Sequence, residues 1–286
     1  MILEHEIPEG SRLHFGPSAR LKRRLENLSV EVFYKHGFEE MASPTFVYQE
    51  HQRSFLERDV IRLSSEENHQ IALRNDSTID IIRIATKRLG RSTNQKKWFY
   101  IQPVFSYPTM EHNQIGAECL EHHEIQNLLD IGLEIFNAID LKARLQLTNT
   151  KISKLCALEL GMDSKAFSRL DISSLQNIDF VKRLLAIDSK SELEAALPSM
   201  PGFIKSDLEK LIQACECDYP NIICSPLLPA PVDYYDDLFF RLFLDNETFL
   251  SGGLYVVGGT RSCGFGIYTD RVVHYLLQKL DSKVGA

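Results

Sequence analysis

The sequence predicts an α+β fold, an antiparallel sheet flanked by helices, with strands drawn from both ends of the chain and a helical insertion between them. Three observations predict it. Around Gln114 the residues alternate, Gln114, Gly116 and Glu118 against Ile115, Ala117 and Cys119, which is the period of two of a strand. From Pro220 onward DYYDDLFFRLFL, TFLSGGLYVV and CGFGIYT follow one another across the short turns DNE and GGTRS, an antiparallel series. Between about Lys151 and Cys217 helical patterns follow one another without intervening strands, so the chain is not an alternating parallel α/β protein.

The elements read in order as follows. Leu21, Leu25, Leu28 and Val32 fall on one helical face, and His36-Gly37 ends that helix. FEEMASPTFVY (Phe38 to Tyr48) reads as an edge-type strand interrupted by Pro44, since proline cannot donate to a ladder. VIRLSS and QIALR flank the polar stretch from Glu66 to His69 as a hairpin. Asp76-Ser77-Thr78, with Asp80 in the first turn, is a helix start, because a carboxylate accepts from the free N–H groups there. Ile81, Ile82, Ala85 and Leu89 form its apolar face, and Gly90 stops it. Trp98 to Tyr107 is a strand closed by Pro108 and joined by a short polar turn to the alternating strand. A second strong helix carries Ile125, Leu128, Leu129, Gly132, Ile135, Phe136 and Ile139 on one stripe. ISKLCALELG, SSLQNIDFVKRLLAI, SELEAAL and FIKSDLEKLIQA make up the insertion, 151–219 of a single 1–286 domain, and DRVVHYLLQKL closes the chain.

A chain of 286 residues with 44% hydrophobic residues can bury a sizeable core. The formal charge of −7 argues against a dedicated nucleic-acid surface. MILEHEIPEG lacks the basic-then-apolar pattern of a signal peptide, and no apolar run approaches the ~20 residues of a membrane helix. A cytoplasmic protein is expected. In that compartment cysteines need not pair. Cys215, Cys217 and Cys224 lie close together, but C-x-C lacks zinc-knuckle spacing, so free thiols are expected. His122 and His123 are adjacent at the start of a helical pattern, face different directions and cannot share an ion. No metal and no cofactor are expected.

Gly252-Gly253 and Gly258-Gly259 lack the context of a phosphate loop and read as strand bends and turns. Neither Cys119 nor Cys263 has the surroundings of a nucleophile. Tyr234-Tyr235, at a strand start, reads equally as core aromatics or as site residues. Arg271 opens the last helix, where the helix dipole does not favour a cation; it is either a solvated charge or an anion contact. The hairpin from Trp98 to Glu121 has no Arg or Lys, which leaves a polar, sheet-borne face without positive charge.

Taken in order, LRNDST, VFSY, NQIGAE, PVDYY, SGGLY and GFGIYTDRV resemble the catalytic core of histidyl-tRNA synthetase, from GFEEMASP near Gly37 to Arg271. The resemblance implies a class II aminoacyl-tRNA synthetase-like fold with a dimer strand bearing Pro44. It also implies a histidine pocket made by Asp76 and Thr78, with Ser77 between them, by Gln114 and Glu118, and by Tyr234 and Tyr235. The residue types suit that ligand: a carboxylate for the α-ammonium, acceptors and hydroxyls for a buried imidazole N–H.

The departures point away from catalysis. Where the synthetase grips ATP with an Arg, this chain has Ser106, and the hairpin loop is shorter. The Arg four residues before the first Tyr is Ala230, and the Arg of the GGRY pattern is Leu254; Arg271 alone remains. Adenylation brings two anions together and needs placed cations or metal ions. The chain also ends some fifteen residues after Arg271, where the synthetase continues into an anticodon-binding domain, so tRNA recognition is not expected.

A synthetase-like core of this kind, with Asp in LRxDxT, resembles most closely the ATP phosphoribosyltransferase regulatory subunits. That resemblance implies a non-catalytic subunit with a dimer core inside a hetero-oligomer. Its partner would be a short-form catalytic subunit that condenses ATP with phosphoribosyl pyrophosphate in the first step of histidine biosynthesis. The regulatory subunit would be required for that activity and for feedback inhibition by histidine, bound either in the ancestral pocket or at the subunit interface. The alternatives are an active stand-alone histidyl-type amino-acid adenylating ligase and a synthetase relic without a partner.

Overall fold

The strands foreseen at the two ends of the chain meet side by side. The computed structural model describes residues 6–51, 60–63, 70–169, 177–230, 232 and 234–284. In it the hairpin β5 (Lys97–Ser106) and β6 (Met110–Leu120) abuts the C-terminal meander β9 (Tyr235–Leu244), β10 (Glu247–Val257) and β11 (Thr260–Tyr268), with β6 antiparallel to β11. Gly258 and Gly259, at φ of +58° and +81°, make the β10–β11 turn in the left-handed region, as a two-residue hairpin loop requires.

The sheet is mixed, not wholly antiparallel. β1 (Glu39–Glu40) runs parallel to β5 at one edge, and β7 (Arg144–Asn149) and β8 (Ile222–Cys224) run parallel at the other, giving the order β1-β5-β6-β11-β10-β9-β7-β8. The strands RLQLTN and IIC were not read from the sequence. They are short, and a parallel pair needs a long crossover, so nothing local announces the pairing. That crossover is the helical insertion: α4 (Thr150–Glu159), α5 (Ser164–Arg169), α6 (Asp179–Leu185), α7 (Lys190–Ala196) and α8 (Gly202–Ala214). Part of SSLQNIDFVKRLLAI lies outside the described residues. Asn149 caps α4 by accepting from Lys151 N (3.1 Å) and donates to Asp207 of α8 (3.1 Å). The buried Asp237 of β9 takes Lys151 at 3.0 Å and Arg261 at 2.8 Å, pinning the insertion to the sheet. Cys215 and Cys224, expected as free thiols, are bonded to each other across the α8–β8 connection.

FEEMASPTFVY is two strands in two sheets. The chain leaves the large sheet after β1, and past Pro44 β2 (Phe46–Tyr48) joins β3 (Arg62–Leu63) and β4 (Ile71–Leu73) in a small sheet of order β2-β4-β3. The predicted turn between β3 and β4 lies outside the described residues. The break is held by Arg74, only 2% exposed, whose guanidinium donates to the carbonyls of Ser43 (2.7 Å), Pro44 (3.0 Å) and Pro103 (2.7 Å). A buried cation surrounded by carbonyl oxygens satisfies its donors without a carboxylate.

α1 (Gly16–Lys35) buries Leu25, Val32 and Phe33 and ends at Gly37, whose φ of +76° suits glycine. With α3 (Gln126–Ala138) and the insertion it covers one face of the sheet, over Ile115, Leu254, Phe265 and Ile267. Each fully buried Leu or Phe there contributes about 1.5–3 kcal/mol. The other face carries a smaller, tyrosine-rich core beneath α2 (Ser77–Arg83): Tyr100, Tyr234, Tyr235 and Tyr255 with Ile79 and Ile82. The last helix, α9 (Thr269–Val284), follows β11 directly. Among the described residues no helix is long and apolar enough to cross a membrane.

Candidate functional site

The tyrosine-lined face carries the site. Strand register places Gln102 and Tyr100 of β5 opposite Gln114 and Gly116 of β6, and Tyr268, Gly266 and Gly264 of β11 opposite Gln114, Gly116 and Glu118. The glycines leave room above the strands. A Cβ at Gly116 would run into the Tyr100 ring, and one at Gly264 into the Glu118 carboxylate. Asp76 enters from the start of α2, where its Oδ1 accepts from Ile79 N at 3.0 Å. The result is a small cavity, about 50 Å³, lined by Asn75, Asp76, Thr78, Tyr100, Gln114, Val232, Tyr234, Tyr235, Ser251, Gly266 and Tyr268.

The structure therefore brings Asp76, Thr78, Gln114, Tyr234 and Tyr235 to one cavity. Two other expected residues take different places. Ser77 turns away and accepts from Gln102 Nε2 at 3.0 Å, with Gln102 also held by Ser43. Glu118 is not a lining residue. It lies one layer down, 1% exposed, where Thr78 Oγ1 donates to Oε1 at 2.6 Å and the Tyr255 hydroxyl donates to Oε2. Burial pushes its carboxyl up to about 8, against the downward pull of those two hydroxyls. Burial likewise raises the phenols of Tyr100, Tyr234, Tyr235 and Tyr255. The cavity thus has an acidic rim at Asp76 and neutral hydroxyl walls. Such a wall hydrogen-bonds an imidazole or amide in either tautomer.

The lost-cation positions are spread over the structure. Ser106 is buried at the far end of β5, on the Gln102 face about 13 Å further along the strand. Ala230 lines an adjoining cavity of about 250 Å³ with Thr150, Ser153, Lys154, Asp163, Ser164, Leu228, Pro229, Val232 and Tyr235. Leu254 is a correction: it points to the opposite face and packs in the large core, whereas Tyr255 faces the site. Position 254 is not a phosphate-site position in this fold, because successive strand residues face opposite ways.

Arg271 sits at the mouth of a further cavity. Its Nη1 donates to Thr248 O at 3.0 Å, and its guanidinium stacks over Tyr268 at 4.6 Å. Arg241 of β9 lines the same cavity, donating to Gln146 Oε1 at 2.7 Å. Past Lys97, which opens β5 and donates to the His36 carbonyl, the hairpin carries no Arg or Lys, but the cleft next to it holds a second guanidinium that motif reading missed. Arg241 lies inside a strand pattern, and only the β9–β10 register, Arg241 opposite Ser251, shows which face it takes. Tyr100, Tyr268 and Ser251 were missed for the same reason. Among the described residues no group of His, Cys, Asp or Glu could hold a metal ion.

Comparisons with known proteins identify the family to which the chain belongs. The family model described as Histidyl-tRNA synthetase matches residues 15–272. A protein of Wolinella succinogenes named ATP phosphoribosyltransferase regulatory subunit is 47% identical over 280 residues, 97% of this chain and 98% of that one. A protein of the same name from Helicobacter hepaticus is 47% identical over 279 residues, covering 97% of this chain and 100% of its own. A solved structure from Bacillus halodurans, titled as an ATP phosphoribosyltransferase regulatory subunit/histidyl-tRNA synthetase, superposes with a TM-score of 0.76 at 16% identity, over 96% of this chain and 84% of that chain. At that identity the structure speaks for the class II synthetase-like fold alone. The near full-length sequence identity speaks for more: this chain belongs to the ATP phosphoribosyltransferase regulatory subunit family, built on a histidyl-tRNA synthetase core.

Proposed function

We propose that this protein is the regulatory, non-catalytic subunit of an ATP phosphoribosyltransferase. It associates with a short-form catalytic subunit, is required for that subunit's activity, and confers inhibition by histidine on the first step of histidine biosynthesis. The observation that carries the reading is the 47% identity, over nearly the whole chain, to two proteins bearing that name. The site supports it. The amino-acid half of the ancestral cleft keeps Asp76, Thr78, Gln114 and the tyrosines around one cavity. The phosphate half has Ser106 and Ala230 where the synthetase pattern has Arg, and Arg241 and Arg271 are engaged by Gln146 and Thr248. A pocket that keeps its amino-acid half but lacks two of the arginines of the synthetase's phosphate half suits sensing better than adenylation.

Regulation then follows from differential binding: histidine binds more tightly to the inactive arrangement of the assembly and shifts the population toward it. The test is to mix the purified chain with a short-form catalytic subunit and follow phosphoribosyl transfer with and without histidine. Activity is expected only with both proteins, and histidine should lower it. A catalytic subunit equally active alone overturns the reading.

A further inference from the structure

A zwitterionic amino acid needs an anion for its ammonium and a cation or strong donors for its carboxylate. The Asp76 cavity supplies the first. No Arg or Lys is among its lining residues. An adjoining cavity supplies a cation. Val232 and Tyr235 line both spaces, so the two adjoin. Lys154, on the second turn of α4, lines the second cavity, and its Nζ donates to the Tyr235 carbonyl at 2.9 Å. That bond uses one of the three donors of an ammonium.

The neighbouring cations of the insertion are already committed. Lys151 and Lys210 both reach Asp237, at 3.0 and 3.7 Å. Asp163, a carboxylate lining the Lys154 cavity, caps a turn by accepting from Ala166 N at 3.1 Å. The same cavity holds the Ser153 hydroxyl, buried and without a hydrogen-bond partner among the described residues. An unsatisfied buried hydroxyl beside an ammonium that no carboxylate claims among the described residues is the donor pair a carboxylate would take. Ala230, with only a methyl group, lines this cavity and leaves the space open.

We propose that Lys154, with Ser153 beside it, binds the α-carboxylate of the amino acid whose ammonium Asp76 holds, so that the helical insertion supplies the cation that position 230 lacks. The inference rests on the reading of the Asp76 cavity as an amino-acid site. The ligand spans both cavities, its side chain against Gln114 and the tyrosines and its carboxylate toward α4. Lys154 is thereby a specificity residue, separating amino acids from the corresponding amines.

The test is calorimetry on the full chain with its catalytic subunit present, titrating histidine and histamine, which differ by the carboxylate. Lys154→Met should weaken histidine roughly 10- to 100-fold, the value of a charge-assisted hydrogen bond, and leave histamine unchanged. Lys154→Arg should retain histidine binding, which excludes a folding defect of the site. If Asp76→Asn weakens histidine while Lys154→Met does not, or if Lys154→Met weakens both ligands equally, this assignment fails and the amino-acid pocket stands. If neither variant changes histidine affinity, both fail.

Discussion

Thr78 and Glu118, forty residues apart, meet in a buried 2.6 Å hydrogen bond that ties the first turn of α2 to the C-terminal end of β6. Tyr255 of β10 closes the same carboxyl from the other side. Three elements therefore share one buried acid directly beneath the Asp76 cavity.

That acid makes stability depend on pH. Glu118 keeps its proton to about pH 8 in the fold but has an ordinary value of 4.5. The folded value is the higher one, so the fold binds a proton that the unfolded chain releases between those limits. The stability of the neutral carboxyl is complete below 4.5 and is lost as pH rises toward 8. Asp80, raised by burial from 3.8 to about 6, adds a slope of the same sign at lower pH. The melting temperature should fall from pH 5 to pH 8, and Glu118→Gln should flatten the upper part of that decline. A variant with the wild-type slope would place the titration elsewhere.

Gly264 faces Glu118 across the β6–β11 register. A methyl group there has no room, because it meets the Glu118 carboxylate and the Ala117 carbonyl. Gly264→Ala should cost about 1–3 kcal/mol by overpacking. Adding Glu118→Ala should recover part of that loss, a coupling that a denaturant double-mutant cycle would reveal.

Asp76 does two things that different substitutions separate. Its Oδ1 caps α2 through Ile79 N, and its charge faces the cavity. Asp76→Ala should lower stability by about 1 kcal/mol through loss of the cap. Asp76→Asn keeps the cap and should be nearly neutral in denaturation. Both should weaken histidine by roughly 2–5 kcal/mol in calorimetry, since the α-ammonium is left without its anion.

β2 is an edge strand with Phe46 and Tyr48 side by side on one face, 63% and 56% exposed. With Pro44 ahead of it, this strand should form the homodimer contact. Light scattering at micromolar concentration should give a dimer for the wild type and a monomer for Phe46→Ser with Tyr48→Ser. A monodisperse wild-type monomer would remove the strand from that role.

Pyrophosphate exchange with histidine, ATP and magnesium should stay at background for the purified chain. Ser106→Arg alone should not restore it, because Ala230 and the shortened hairpin loop are separate departures and catalytic groups act as a unit. Exchange well above background would favour the adenylating ligase.

The sequence by itself determined the elements whose period is long and whose ends are punctuated. α1 with Gly37, α3 with its seven-residue stripe, the β5–β6 hairpin and the C-terminal meander were all legible, because local periodicity and turn chemistry act within a few residues. The ordered motifs also carried the fold family, and they singled out Asp76, Thr78, Gln114, Tyr234 and Tyr235, which the fold gathers around one cavity. Tertiary structure alone decided what depends on neighbours distant in the chain. The parallel pair β7–β8 is stabilised only once the insertion bridges it. Glu118 sinks beneath the cavity because Gly264, on a strand 146 positions later, leaves it space. Arg241 reaches the cleft, and Lys154 its flank, through cross-strand register and helix docking. Leu254 is the instructive case between the two. Alternation along SGGLY already sets it opposite Tyr255, but which of those faces is core and which is site was fixed only when the sheet acquired helices on both sides.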